Sequence, residues 1–431
     1  MTRSDTRLIV AVVLCLALIA VPVFAAGRQE QPAKENVTIT FSFGLDPGGA
    51  FEEIARVYSA RTPGVTVQTL QLPPTPNQQF DRYVTTFASQ DSNIDVLLMD
   101  IIWVAQFAAA GWIAPLEGQI DMQITKPLLE GPLNANRYRG NLYGLPFFTD
   151  TGMLYYRKDL LEKYGFTYPK TWEELVTQSR TIIDGERNPN LSGLVFQAAQ
   201  IEGITINFLE FFHGAGGFFL NEKGEYVFEK EYAKEARKAL QFMYDMIYTH
   251  RVAPVAVTTS NPNDNRISFE QGNAIFMRNW PFAYTSAQET DLAGKVGIAP
   301  IPHFEGNPNT VTANLGGWQL AMNAYTDTPK EALAFLQWAV SEEAQRILVE
   351  KAGQFPAYAP LYEDPAIQEL NPLYGQILDV LESTFPRPVT EFYTEVSSKM
   401  QPELNGALTR VKSVERALAD MFAGISEVLD N

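Results

Sequence analysis

Few residues in this chain carry reactive chemistry, and their types and spacing decide what kind it is. The three histidines, His213, His250 and His303, lie far apart, and none stands in a metal-ligand spacing such as H-E-x-x-H. The lone cysteine, Cys15, falls inside an apolar N-terminal run, so no thiol nucleophile is left downstream. No G-x-S-x-G elbow is present. The glycine cluster from His213 to Gly217 is neither a phosphate loop nor a dinucleotide fingerprint, since Phe219 stands where the last glycine belongs. It reads as a turn between elements, and neither a cofactor nor a metal is expected. What remains is carboxylates, aromatics and one isolated guanidinium. Asp100 ends the apolar run 94–99, Asp150 follows Phe148, Trp280 follows the run 274–277, Trp318 follows Gly316 and Gly317, and Arg387 stands between two prolines. Flat aromatic faces beside carboxylates and an Arg suit a concave site for a ligand that presents paired hydroxyls around C–H faces, as a sugar does. A plainer reading stands beside this one. With 6 Trp, 18 Tyr and 27 Phe in the chain, most aromatics must pack the core, and Asp100 is as well placed to cap a helix near Trp103 as to meet a ligand.

The elements that position these residues begin after an export signal. Arg3 and Arg7 flank the apolar run Leu8 to Val23, and Val23-Phe24-Ala25 fits the small-residue rule for cleavage. That run is shorter than the roughly 20 residues a spanning helix needs. A signal peptide over 1–26 is therefore expected, with a periplasmic or extracellular protein as its consequence. The polar stretch 27–36 reads as a flexible tether, which leaves a membrane-associated placement open. Removal of the signal leaves no cysteine, so packing rather than disulfides must hold the fold. Of 431 residues, 33 are basic and 50 acidic, a net charge of −17 that argues against nucleic-acid partners. A chain this long exceeds the ~250–300 residues at which one core stops growing, so two domains are expected.

Strand and helix periods alternate from Val37 onward. Val37 to Phe43 alternates apolar and polar as a half-buried strand, 50–61 carries Phe51, Ile54 and Tyr58 at helical spacing, and Val65 to Leu70 resumes a strand. Strand, helix, strand in short order implies a parallel βαβ unit. A helix over 80–89 and a strand over 94–99 continue the pattern. In open α/β sheets ligands sit outside the carboxyl ends of parallel strands, which is where Asp100 falls. Further on, Thr171 and Glu174 form a capping box, so Glu173 and Glu174 start a helix rather than form a catalytic pair. Helices are expected over 230–250 and from Thr328-Pro329. Two extended passages, Tyr143 to Thr151 and Gly297 to Pro302, suggest a chain that leaves one domain, builds another and returns.

In this order, several motifs carry a resemblance. They are Asp95 to Asp100 with Trp103, Tyr143 to Pro146 with Asp150, Leu154 to Leu160, Pro169 to Leu175, Gly272 to Met277 with Trp280, Gly316 to Trp318, and Phe355-Pro356. From Val37 to the C-terminus the sequence resembles the family 1 extracellular solute-binding proteins of ABC importers, of the maltose-binding type and closest to trehalose/maltose-binding members. The resemblance implies an α/β, two-lobed periplasmic-binding-protein fold of type II. Each lobe would be a mixed, mainly parallel sheet flanked by helices, with lobe 1 over 37–146 and 300–340 and lobe 2 over 147–299 and 341–431. It implies a monomer that closes on a sugar and delivers it to the membrane subunits of an ABC permease. Asp100 and Asp150 look like hydroxyl acceptors, Trp280 and Trp318 like stacking planes, and the Gly317 backbone and Arg387 like further hydrogen-bonding groups. Asp46, Thr75 and Gln78 match more loosely from loops, and Phe148 replaces the Tyr that a disaccharide site would usually carry. Two other readings use the same residues: an exported glycoside hydrolase with Asp100 and Asp150 as its carboxylates, or the same fold holding a polyamine, peptide or phosphate ester.

Overall fold

The computed structural model describes residues 36–429 apart from 74, 222–224, 308–310, 376 and 383. The expected signal peptide, and the expected tether up to residue 35, lie outside the described residues. Among the described residues thirteen strands form three sheets: β1 (Val37–Phe43), β2 (Val65–Gln71), β3 (Val96–Asp100), β4 (Arg137–Tyr138), β5 (Asn141–Leu142), β6 (Leu145–Thr151), β7 (Met153–Arg157), β8 (Ser192–Val195), β9 (Ala274–Asn279), β10 (Val296–Ala299), β11 (Ala313–Met322), β12 (Phe355–Pro356) and β13 (Thr384–Pro386). A large sheet runs in the order β12-β6-β11-β3-β1-β2, with β13 beside β11, and a smaller one in the order β10-β7-β9-β8. Strands β4 and β5 pair only with each other.

The local readings largely hold. Strands β1 and β2 pair in parallel around helix Ala50–Arg61, as the βαβ pattern requires. Thr171 accepts from the Glu174 backbone N–H while Glu174 accepts from the Thr171 N–H, completing the capping box of helix Trp172–Glu186. Helix Pro76–Ala88 starts earlier than 80–89, because Pro76 at its first turn needs no amide partner. His213 and Gly214 close helix Glu202–Gly214, so only the rest of that glycine cluster is a turn.

The sheets are mixed, and the expectation that they are mainly parallel does not survive. In the large sheet β1–β2, β1–β3 and β11–β13 are parallel, while β11–β3, β11–β6 and β12–β6 are antiparallel. In the small sheet only β8–β9 is parallel. The reason is topological: β6 runs straight on into β7 through Gly152, and β11 comes back from the second sheet, so each enters against its neighbours. Strand β6 belongs wholly to the large sheet, which puts the passage between sheets at Gly152 rather than at 146. Helix Glu342–Ala352 buries Ala344 and Leu348 in the core under the large sheet, beside Phe41, Phe147 and Phe335. Helices Tyr393–Leu408 and Val414–Leu429 pack instead into the core of the small sheet with Trp172, Phe211 and Phe276. Among the described residues, no helix is long and apolar enough to cross a membrane.

Candidate functional site

Cross-strand register gathers the site. Trp318 on β11 sits opposite Asp100 on β3 and opposite Phe148 on β6, and Gly316 sits opposite Asp150. Residues two apart on a strand share a face, so Phe148, Asp150, Gly316, Trp318, Leu98 and Asp100 all lie on one side of the sheet. This arrangement borders a cleft of ≈ 190 Å³ lined by Gly44, Leu45, Phe51, Gln79, Leu98, Phe148, Asp150, Pro281, Phe282, Trp318 and Gln354. The glycines before Trp318 are structural necessities. Gly317 holds φ +124°, and a Cβ there would stand 2.7 Å from the Phe148 carbonyl oxygen, while one on Gly316 would press on Asp150 and on the Trp280 ring at 3.3–3.4 Å. Packing fixes the aromatic walls. The Trp103 ring meets Trp318 edge-on at 5.7 Å, and Phe51 stacks on Phe148 at 6.1 Å.

Trp280, just after β9, stands against Gly316 and is followed by the cleft-lining Pro281 and Phe282, but does not itself line the cleft. Its ring lies under the Arg278 guanidinium, 4.1 Å from carbon to ring centroid, and Tyr155 donates to its backbone carbonyl at 2.6 Å. Arg278 is itself locked by Glu210 through a two-pronged ion pair of 2.7 and 2.5 Å, both side chains being buried. Burial pushes the Asp150 carboxyl up from 3.8 to about 8; the positive charges of Arg278 and Arg387 and the Thr151 amide oppose that rise, and Asp100 adds to it.

Asp100 fulfils both readings of the sequence in part. It caps the short helical turn Ile101–Trp103 by accepting from the Ile102 amide at 3.2 Å, and it also accepts from Arg387 at 2.8 Å. Arg387 is buried and spans two carboxylates, its other terminal nitrogen reaching Glu202 at 3.1 Å; Tyr393 and Ser397 donate to Glu202 as well. Burial works against the Arg387 charge, yet Asp100 and Glu202 hold it raised, while burial raises the Glu202 carboxyl. His213 stacks on Phe385 with ring centroids 3.3 Å apart, and burial pushes it down to about 3, so it packs as a neutral ring.

The loosely matched residues lie elsewhere or do other work. Asp46 accepts from the Phe51 and Glu52 amides at 2.8 and 3.0 Å and so caps helix Ala50–Arg61. Thr75 and Gln78 bond to each other on an exposed surface. Gln79, one residue on, lines the cleft instead. Its Nε2 donates to the Pro73 carbonyl at 3.0 Å, and its buried Oε1 has no hydrogen-bond partner. A Cβ on Gly44 would meet that amide at 2.1 Å, so only glycine leaves it room. Sequence reasoning also missed Phe282, Gln354, Arg278 and Glu210. The last two left a trace: Glu210 is a single charge within the apolar helix segment 204–212, and Arg278 stands two residues before Trp280. Among the described residues no cluster of His, Cys, Asp and Glu could hold a metal ion.

Residues 44–346 match the model of the family described as bacterial extracellular solute-binding protein. A probable ABC transporter-binding protein of Deinococcus radiodurans is 32% identical over 416 residues, covering 92% of this chain and 95% of that protein. The structure of maltose-bound MalE3 of T. maritima matches with a TM-score of 0.82 at 36% identity, over 91% of this chain and 100% of that one. A mannitol-binding protein of Pseudomonas aeruginosa is 23% identical over 79% of this chain and 75% of its own length.

Proposed function

From the premise that the chain belongs to the bacterial extracellular solute-binding protein family and has its two-lobed type II fold, we propose that it binds a sugar or sugar-like polyol, unaltered, between its lobes. A disaccharide such as maltose or trehalose is the first candidate. In this reading the lobes follow the sheets, one carrying β1–β6, β11 and β12 and the other β7–β10 with the C-terminal helices. The protein is exported, works as a monomer outside the cytoplasm, and hands its cargo to the membrane subunits of an ABC permease.

One observation carries the reading. The cleft lining joins aromatic faces (Phe51, Phe148, Phe282 and Trp318) to the acceptors of Asp150 and Gln79 and contains no Lys, Arg or His among the described residues. Hydroxyl donors with flat C–H faces satisfy such a wall, and a phosphate ester would find no cation to meet it. A polyamine would have one cleft carboxylate, Asp150, which burial keeps protonated up to about pH 8 despite the pull of Arg278 and Arg387. The hydrolase reading asks Asp100 to act as acid, base or nucleophile, whereas its carboxylate is occupied by Arg387 and the Ile102 amide. Calorimetric titration of the purified protein with maltose, trehalose, glucose, mannitol and spermidine tests the proposal. Heat of association with a saccharide or polyol recovered intact supports it; binding of spermidine alone, or cleavage of a disaccharide, refutes it.

A further inference from the structure

The ion pair Arg278–Glu210 lies beside Trp280 and against the Gly152 passage between the sheets, outside the cleft lining. Glu210 comes from the helix Glu202–Gly214 and Arg278 from β9, and both are only 1–2% exposed. The third nitrogen of the guanidinium donates to the Gln197 Oε1 at 3.2 Å, and Gln197 in turn donates to the Arg278 carbonyl at 2.9 Å, so all three guanidinium nitrogens and the backbone carbonyl are tied. The two passages between the sheets lie directly on it. A Cβ on Gly152, between β6 and β7, would stand 2.1 Å from Glu210 and 2.4 Å from Arg278. Gly152 also donates to the Asn314 carbonyl at 3.4 Å, and the Asn314 amide points to Glu210 at 3.5 Å.

A bare salt bridge this deep is poor evidence of stabilisation, since desolvating two ions costs about what their attraction returns. What the pair does supply is a fixed cation with two neighbours. The face of the guanidinium covers the Trp280 ring at 4.1 Å, an attraction that orients a platform already anchored at its carbonyl by Tyr155. Its charge also acts on Asp150, whose other charged and titratable neighbours are Asp100, Arg387 and Tyr155. We propose that Arg278, locked by Glu210, is a positioning residue of the ligand site: one guanidinium sets the plane of Trp280 and supports the negative charge of Asp150. It touches no cleft ligand itself. The inference rests on the reading of the cleft as the binding site, but half of its test does not need a ligand.

The full-length protein carries the test in two variants. Arg278→Lys keeps the charge and loses the planar fork; Arg278→Met with Glu210→Met removes both charges together, so that neither is left buried alone. In protein labelled with 13C at aspartate, the Asp150 carboxyl is assigned by its loss in Asp150→Asn and titrated without ligand. The Lys variant is expected to titrate Asp150 within a few tenths of a pH unit of wild type, and the double variant at least one unit higher, a tenfold greater proton affinity. With maltose as the probe, the Lys variant is expected to bind about tenfold more weakly at pH 8 because the Trp280 ring is no longer held flat. An Asp150 midpoint in the double variant equal to wild type, or a Lys variant with wild-type near-ultraviolet dichroism from Trp280 and wild-type maltose affinity, overturns the assignment. If wild type binds no maltose, the proposed ligand fails while the titration and the dichroism still decide the role of Arg278.

Discussion

Replacing Asp150 by Asn should stabilise the protein in the absence of ligand while impairing its binding, and both effects should grow as pH rises towards 8. The Asp150 carboxyl is raised by burial from 3.8 to about 8. In the native state it therefore holds its proton through a pH range in which the unfolded chain has already lost it. Native protein binds more protons than unfolded protein between those two values, so this group lowers stability as pH rises from about 4 to about 8. Roughly four units at ~1.36 kcal/mol each set a ceiling of about 5–6 kcal/mol. The side chain keeps partial exposure to the cleft, and screening there brings the figure down to roughly 1–3 kcal/mol. An Asn side chain retains the acceptor for the Thr151 amide at 2.9 Å and cannot ionise. Urea denaturation at pH 4, 6 and 8 should show Asp150→Asn equal to wild type at pH 4 and about 1–3 kcal/mol more stable at pH 8. Hydroxyls that donate to the ionised carboxylate should make wild-type affinity tighten up to about pH 8, whereas the variant binds weakly at every pH. Equal destabilisation of the variant at pH 4 and pH 8, or a wild-type affinity independent of pH, would show that burial does not hold the Asp150 proton in the native state.

Five other substitutions address the remaining parts of the site. Trp280→Ala and Trp318→Ala should each weaken saccharide binding by about 1.5–3 kcal/mol, roughly ten- to a hundredfold by calorimetry, because each removes a flat stacking face. Gln79→Leu should change thermal stability little, since losing the hydrogen bond to the Pro73 carbonyl is offset by removing a buried acceptor that has no partner, and should lower affinity about tenfold; Gly44→Ala, which drives a methyl into the same amide, should copy the affinity loss. Arg387→Met strands Asp100 and Glu202 beside each other without their shared cation and should cost about 3–5 kcal/mol in urea denaturation.

How much of this was legible in the sequence depends on the range of the forces involved. Elements governed by local period and capping came through closely: helix Ala50–Arg61, β1, and the Thr171–Glu174 box. Strand direction did not, because the antiparallel entry of β6 and β11 follows from passages between sheets that no local pattern encodes. Asp100, Trp280 and Trp318 were picked out because unlike residue types stood beside aromatics, and Asp150 and Phe148 through the resemblance; strand register brings Asp100, Phe148, Asp150 and Trp318 to one face. Gln78 and Gln79 could not be told apart on paper; a single helical step of 100° decides which one meets the cleft, and Gly44, distant in sequence, makes the room. Arg387 read as a free hydrogen-bonding group because Glu202, Tyr393 and Ser397, which engage it directly or through Glu202, are contributed by other parts of the chain. Arg278 and Glu210 escaped notice for the same reason, each being a charge whose meaning lies in a partner 68 residues away.

In the proposed function two lobes swing together on an intact sugar. Small-angle X-ray scattering on the purified protein, with and without saturating maltose, tests it most directly. A smaller radius of gyration with maltose, reversed when the sugar is dialysed away unchanged, is the expected result. Superimposable profiles at a maltose concentration where calorimetry reports full occupancy would contradict the account.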